Sequence, residues 1–253
     1  MDLSVTMDDG IALLEIQRPP ANHFDEALIG RIVDAAFTLD DDPACRVILL
    51  GSEGRHFCAG ADFGGGDFAA DHVAAAERLY RRAVQLFDVR TPIVAAVQGT
   101  AVGGGLGLAC AADFRVAEPA TRFMANFAKL GFHQGFGLSV TLPELIGRQK
   151  ATDLMLTARR VGGEEAYRIG LADRLAEPGM VRATARALAC EIAASAPLAI
   201  RSMRATLRGD LAERVRRALD HELAEQKVHW ATRDAAEGIA ASLARRTPVF
   251  TGS

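Results

Sequence analysis

Apolar positions in the N-terminal half of the chain follow two periods. Short runs, IALLEI (11–16), RVILLGS (46–52), PIVAAVQG (92–99) and DFRVAE (113–118), are continuously apolar or β-branched. That is the signature of strands buried on both faces. Between them apolar residues recur at helical spacing. Leu28, Ile29, Ile32, Val33 and Ala36 mark one helix, with Asp25 and Glu26 in the first turn, where the helix dipole favours acids. A second helix is expected from about Asp71 to Phe87. Strand and helix in alternation predict a layered α/β fold.

From about residue 138 the pattern turns mainly helical. Glu164 and Glu165 open a short helix that Gly170 ends, and a strand is expected at LADRLA (171–176). A helix from about Pro178 to Ser195 follows, and Pro197 suits the first turn of the next. One long helix is expected from about Gly209 to Arg246, with Leu211, Val215, Leu219 and Leu223 on one stripe. Such a stripe must be covered, by a neighbouring subunit or by the chain's own core.

Composition narrows the class. The 253 residues are 49% hydrophobic and 24% charged, as in an ordinary soluble globular protein. A net charge of −3 gives no reason to expect a nucleic acid or an anionic membrane as partner. The stretch Thr91–Ala112 is uncharged and long enough to span a bilayer, but it holds five glycines, Pro92, Gln98 and Thr100. A buried strand followed by a buried helix explains it better. The acidic opening MDLSVTMDDG lacks the apolar segment of a signal peptide. Cys45, Cys58, Cys110 and Cys190 show no CxxC spacing, so reduced, buried thiols in a cytoplasmic protein are expected.

Two glycine-bearing loops carry the candidate chemistry. GRHFCAGADFGGGDF (54–68) follows one strand, and AVQGTAVGGGLGLACAADF (96–114) contains the end of another. Gly60 and Ala61 in the first, with Gly103, Gly104 and Gly105 in the second, permit close approach of backbone to a ligand. The second loop also opens a helix, whose first amides lack intrahelical partners. One amide from each loop would make an oxyanion hole. Glycines needed only for tight helix–sheet packing are the alternative. There is no GxxxxGK[ST], GxSxG or HExxH, and no GxGxxG with a following acid, so P-loop, nucleophile-elbow, zinc and dinucleotide readings fall away.

At RPPAN (18–22), HFCAGADF (56–63), AAVQGTAVGGGLGLACAADFRVA (95–117), AKLGF (128–132) and EGIAASLARRTPVF (237–250) the sequence resembles the crotonase superfamily, the enoyl-CoA hydratase/isomerase family. The resemblance implies a repeated ββα core over 1–195 and a C-terminal helical trimerisation region over 196–253, assembled as a homotrimer or a dimer of trimers. It implies an acyl-CoA thioester as partner, with no cofactor beyond the coenzyme A of the substrate and no metal. The thioester oxygen would lie between the amides of Ala61 and Gly104. Ala21, Ala59, Asp62, Phe63, Gly103, Gly107, Phe127, Gln134, Gly135 and Arg245 are the further positions expected to contact acyl group or coenzyme A, with Arg246 beside Arg245.

One departure stands out. Hydratases of this family carry a glutamate on the helix after GGG and a second about 20 residues on, where this chain has Gly107 and Phe127. Neither can move a proton. His133, just after the second position, is the expected replacement, because imidazole titrates near neutrality. Three readings stay open: a hydratase/isomerase-type enzyme using unusual groups, a decarboxylase or C–C lyase relying on the oxyanion hole, and a non-catalytic acyl-CoA-binding protein.

Overall fold

A computed structural model describes residues 2–62 and 71–253. The chain opens on a hairpin. β1 (Leu3–Asp8) pairs antiparallel with β2 (Ile11–Ile16) across Asp9–Gly10, both with positive φ (51° and 76°). A two-residue Asp-Gly turn of this hand matches the twist of its flanking strands. α1 (Glu26–Asp41) follows, capped by the Asp25 carboxylate, which accepts from the Leu28 amide at 2.8 Å. Then come β3 (Val47–Ser52), α2 (His72–Ala83), a 3₁₀ turn (Val84–Asp88), β4 (Ile93–Ala96), β5 (Thr100–Val102), α3 (Gly104–Ala111), β6 (Phe114–Ala117) and β7 (Arg122–Met124). The second expected helix therefore stops at Ala83, four residues before Phe87.

The remainder is α4 (Phe127–Leu130), α5 (Leu138–Ile146), α6 (Arg148–Thr157), β8 (Val161–Gly162), α7 (Gly163–Ile169), β9 (Arg174–Leu175), α8 (Val181–Ala193), α9 (Pro197–Arg208), α10 (Leu211–Trp230) and α11 (Arg233–Leu243). The single long C-terminal helix of the sequence reading is thus two. The chain breaks at Ala231–Thr232, where the Thr232 hydroxyl accepts from the Ala235 amide at 3.1 Å and caps a new helix. The strand expected at LADRLA shrinks to two residues.

A six-stranded sheet runs β1-β2-β3-β4-β6-β9, parallel from β2 onward, and a small second sheet runs β5-β7-β8. The central strands β3, β4 and β6 of the large sheet are buried on both faces, as the unbroken apolar runs require, while the edge strands β1 and β9 are largely exposed. Val47, Leu49, Val94, Ala96 and Val116 pack against α8 through Val181, Ala185 and Ala189. Ile48, Leu50 and Ala95 point the other way, into the larger core with α1 and α3. The uncharged stretch Thr91–Ala112 resolves into β4, β5 and α3 within this core. Among the described residues no single helix is long and apolar enough to cross a membrane. Asp113 anchors the sheet to α9, accepting from the Ile93 amide (2.8 Å), Arg204 and Arg208. Cys45, Cys58 and Cys110 are buried, whereas Cys190 on α8 is exposed, contrary to expectation, because α8 turns it away from the sheet.

Candidate active site

Ligands in sheets of this kind bind at the carboxyl ends of the parallel strands. There the turn after β3 lies against the turn around β5. Cys58 bridges Ala101: the Cys58 amide donates to the Thr100 carbonyl (3.0 Å) and the Val102 amide to the Cys58 carbonyl (3.1 Å). On its other side the first turn pairs with Phe24. The Phe24 amide donates to the Gly60 carbonyl (3.1 Å) and the Asp62 amide to the Phe24 carbonyl (3.0 Å). A parallel bridge consumes the carbonyl before and the amide after the bridged residue, so the Ala61 amide faces away from Phe24. Gly60 has φ +101°, and a Cβ there would lie 3.0 Å from the Val102 oxygen and 3.9 Å from the Gly104 nitrogen. The two turns are therefore side by side.

Gly104 opens α3, whose first internal bond runs from the Gly107 amide to the Gly103 carbonyl (3.1 Å). Among the described residues neither the Ala61 nor the Gly104 amide has an acceptor. A Cβ on Gly104 would stand 2.5 Å from the Phe24 ring. Packing alone thus demands glycine at 104. It does not explain why two amides on adjacent turns are left unspent. The Cys58 thiol beside them is fully buried, and burial pushes it up to about 12, which removes it as a nucleophile.

Most of the expected contact residues gather here. The Ala59 amide donates to the Ala21 carbonyl (3.0 Å), and the Gly103 amide to the Met124 carbonyl (2.9 Å). A Cβ on Gly103 would lie 3.9 Å from the tip of the Phe127 ring. Beyond Phe127 lies a cavity of about 330 Å³ whose lining includes Phe132, His133, Gln134, Met155 and His229. Gly107 is covered by Phe136, and Gly135 lies against Tyr80 and Gln226. Arg245 is exposed after α11, where its side chain makes no hydrogen bond or ion pair among the described residues, while Arg246 is paired with Glu237. Phe63 lies outside the described residues.

A family model described as Enoyl-CoA hydratase/isomerase matches residues 6–253. The chain belongs to the enoyl-CoA hydratase/isomerase family. It is 32% identical to a crotonyl-CoA hydratase of Syntrophomonas wolfei, over 96% of this chain and 95% of that one. It is also 32% identical to a carnitinyl-CoA dehydratase of Salmonella typhi, over 99% and 98%. The structure of an enoyl-CoA hydratase from Mycobacterium avium subsp. paratuberculosis superposes with a TM-score of 0.88 at 28% identity, covering 99% of both chains.

In this member of the family, His133 is held on two sides, its ring by a backbone carbonyl and its backbone by a side-chain amide. Its Nδ1 lies 2.9 Å from the Gln134 carbonyl oxygen, and its own carbonyl accepts from Gln226 Nε2 at 2.9 Å. A carbonyl only accepts, so the neutral ring carries its hydrogen on Nδ1 and leaves Nε2 as the basic nitrogen. His221 and His229 stand at ring-centroid distances of 5.8 and 6.4 Å. Gln134 Nε2 donates to the Ser139 hydroxyl at 3.0 Å.

Three residues beside the site, Phe24, Asn126 and Glu222, were not singled out from the sequence, whereas Phe136 was expected to make the pocket apolar. Phe24 pairs with one turn and packs on the other. Asn126 turns a buried Oδ1, without a hydrogen-bond partner among the described residues, toward Gly103, where a Cβ would be 2.7 Å away. Phe136 and Glu222 shape the wall beside Gly107. A polar residue directly before Phe127 was a signal for Asn126. Glu222 gave none, since its helix reads as a charged outer face.

Proposed function

We propose that the chain binds an acyl-CoA thioester with its carbonyl oxygen between the Ala61 and Gly104 amides, and stabilises the thioester enolate there without the two glutamates that hydratases of the family use. The observation that carries this reading is the pair of unclaimed amides on adjacent turns. Each such donor contributes about 3 kcal/mol of barrier lowering in acyl chemistry. At the two positions where the resemblance would place carboxylates stand Gly107 and the ring of Phe127. His133, with Nε2 basic, supplies the proton acceptor. Phe127 and Phe136 favour a second chemistry on the same hole, decarboxylation or C–C cleavage, because both form an enolate without activating water. Related enzymes carry the names hydratase and dehydratase, which supports an enzyme over a passive acyl-CoA carrier.

Self-association is part of the same proposal. α9 contains no buried residue, and Leu198 and Leu207 on it are 81% and 87% exposed. Beside them lies an apolar cavity of about 370 Å³ lined by Phe114, Ile192 and Ile200. A homotrimer or a dimer of trimers would cover this face.

The test is Ala61→Pro, which removes one donor and nothing polar besides. Butyryl-CoA and crotonyl-CoA binding are measured by calorimetry and turnover by mass spectrometry across a panel of acyl-CoAs. The reading requires turnover on at least one thioester to fall about 100-fold in the variant. Thioester binding with no turnover in the wild type supports the carrier instead, and unchanged binding and turnover in Ala61→Pro removes the hole.

A further inference from the structure

We propose that Phe136, planted by Glu222, fixes the reaction class of the thioester site by occupying the ground beside Gly107 on which an acid–base side chain would stand. The inference rests on that site being where the Gly104 amide places it.

Gly107 lies three residues after Gly104 on α3, hence on the same face, one turn along. A Cβ on Gly107 would sit 2.5 Å from both Cβ and Cγ of Phe136 and 3.0 Å from its Cδ1. No side chain of any kind fits at 107 while this ring is in place. The exclusion reaches beyond a missing carboxylate, because the volume itself is filled by an apolar group that also keeps water out.

Phe136 does not arrive there by local preference. Its φ is +63°, a left-handed conformation that is costly for a bulky L-residue and persists only where the surroundings impose it. α10 imposes it. The two carboxylate oxygens of Glu222 take the Gly137 amide (2.8 Å) and the Ser139 amide (2.9 Å), one and three residues after the ring. One turn along α10, Gln226 takes the His133 carbonyl three residues before it. The turn is thus clamped on both sides from one helix. Phe24 and Tyr80 then meet the Phe136 ring edge to face, at centroid distances of 6.3 and 6.1 Å. Glu222 is fully buried, and a carboxylate in that place is tolerable only because both oxygens are hydrogen-bonded. Glu222 is therefore a positioning residue, acting through Phe136.

The experiment is a set of thermal-melting cycles on the full chain, with an exchange assay beside them. Gly107→Ala is made in the wild-type and in the Phe136→Gly background, where glycine suits the left-handed φ. The melting temperature should fall by about 5 °C in the first background and by about 1 °C or less in the second. The Gly107→Ala penalty should shrink likewise in Glu222→Ala and shrink less in Glu222→Gln, which keeps one acceptor oxygen but turns an NH2 donor toward the other backbone N–H. α-Proton exchange of butyryl-CoA in D₂O, read by mass spectrometry, should rise about tenfold from Phe136→Gly to Gly107→Glu/Phe136→Gly. Equal Gly107→Ala penalties in all backgrounds, or a double variant that folds and exchanges no faster, overturns the proposal. Failure of butyryl-CoA to bind the wild type would instead overturn the thioester site, and the melting cycles would still report on Phe136.

Discussion

Phe24 and Gly104 are in contact across the two halves of the site: a Cβ on Gly104 would lie 2.5 Å from the Phe24 Cζ. The same residue's main chain is bridged to Ala61. One fully buried phenylalanine thus sets the separation of the two unspent amides, by hydrogen bonds on one side and by van der Waals contact on the other.

Phe24→Ala should therefore harm function beyond its effect on folding. Emptying a buried phenylalanine site costs about 3–5 kcal/mol of stability, and Gly104 loses the ring that seats it. Phe24→Leu keeps much of the volume and all of the backbone pairing, so about 1.5 kcal/mol is expected. Denaturant unfolding gives the stability, and butyryl-CoA calorimetry of each folded variant gives the affinity. Equal affinity in wild type and a folded Phe24→Ala would show that the ring does not set the amides.

His133→Gln should lower kcat by roughly 10²-fold or more while leaving thioester affinity within about twofold, as expected for loss of a proton acceptor. The loop is not expected to collapse. Gln226 binds the His133 carbonyl, which every residue type supplies, and Glu222 holds Gly137 and Ser139 independently. Steady-state kinetics on the best substrate of the acyl-CoA panel decides. Retention of most activity would leave catalysis to the amides and bound water.

The strands and first helices were readable because burial on both faces of a parallel sheet demands unbroken apolar runs, and β2 and β3 carry them. The Asp9–Gly10 hairpin was also present as a turn signal, yet β1 beside it, LSVTMD, alternates apolar and polar residues as an exposed edge strand does and lacks the unbroken apolar run of its partners. What escaped was set by tertiary contact. Nothing local distinguishes Glu222 from the other charges of α10, and its role exists only because the 135–139 turn folds onto it. The glycines of the proposed hole have a mixed origin. Gly104 is glycine because Phe24 is there, while the ligand signal lies in amide direction, which a sequence carries only through spacing. The break before Thr232 was missed because the residues on both sides of it are helix formers, and one capping hydroxyl decides it.

Acid should release the C-terminal segment before the fold is lost. Glu237 accepts from both terminal nitrogens of Arg246 and from the Val249 amide (2.9 Å), and the Arg246 hydrogen bonds above all pull its carboxyl down to about 2. A carboxylate depressed on folding stabilises the folded form above its ordinary value of 4.5, and that contribution is lost as pH falls toward about 2. Amide exchange at Val249, corrected for intrinsic rate, should therefore be faster at about pH 3 than at about pH 6. Glu237→Gln should show the faster behaviour at both. If Arg245 reaches coenzyme A phosphates, as the family resemblance implies, Arg245→Ala should weaken CoA binding and leave pantetheine thioesters unaffected. Identical Val249 protection at both pH values would mean that the latch carries no stability.

The last prediction concerns α9. Arg204 and Arg208 both bind Asp113, yet among the described residues the buried Arg204 Nη2 and Arg208 Nη1 find no acceptor. Hydrogen-bond donors left unmade in a buried charged group are costly, typically by more than the 1–3 kcal/mol of a neutral one. Around them Leu198, Met203 and Leu207 stand exposed beside the apolar cavity. A second copy laid on this face would bury Leu198, Met203 and Leu207 and cover the cavity. Light scattering on the wild type should give three or six times the chain mass of 26.9 kDa. Leu207→Glu places a charge in the middle of the face, where desolvating it without a partner is prohibitive. It should shift the mass to that of one chain while the far-UV spectrum stays unchanged. A wild type that remains a single chain at about micromolar concentration, or a Leu207→Glu variant with an unaltered oligomer mass, would show that α9 does not form the interface.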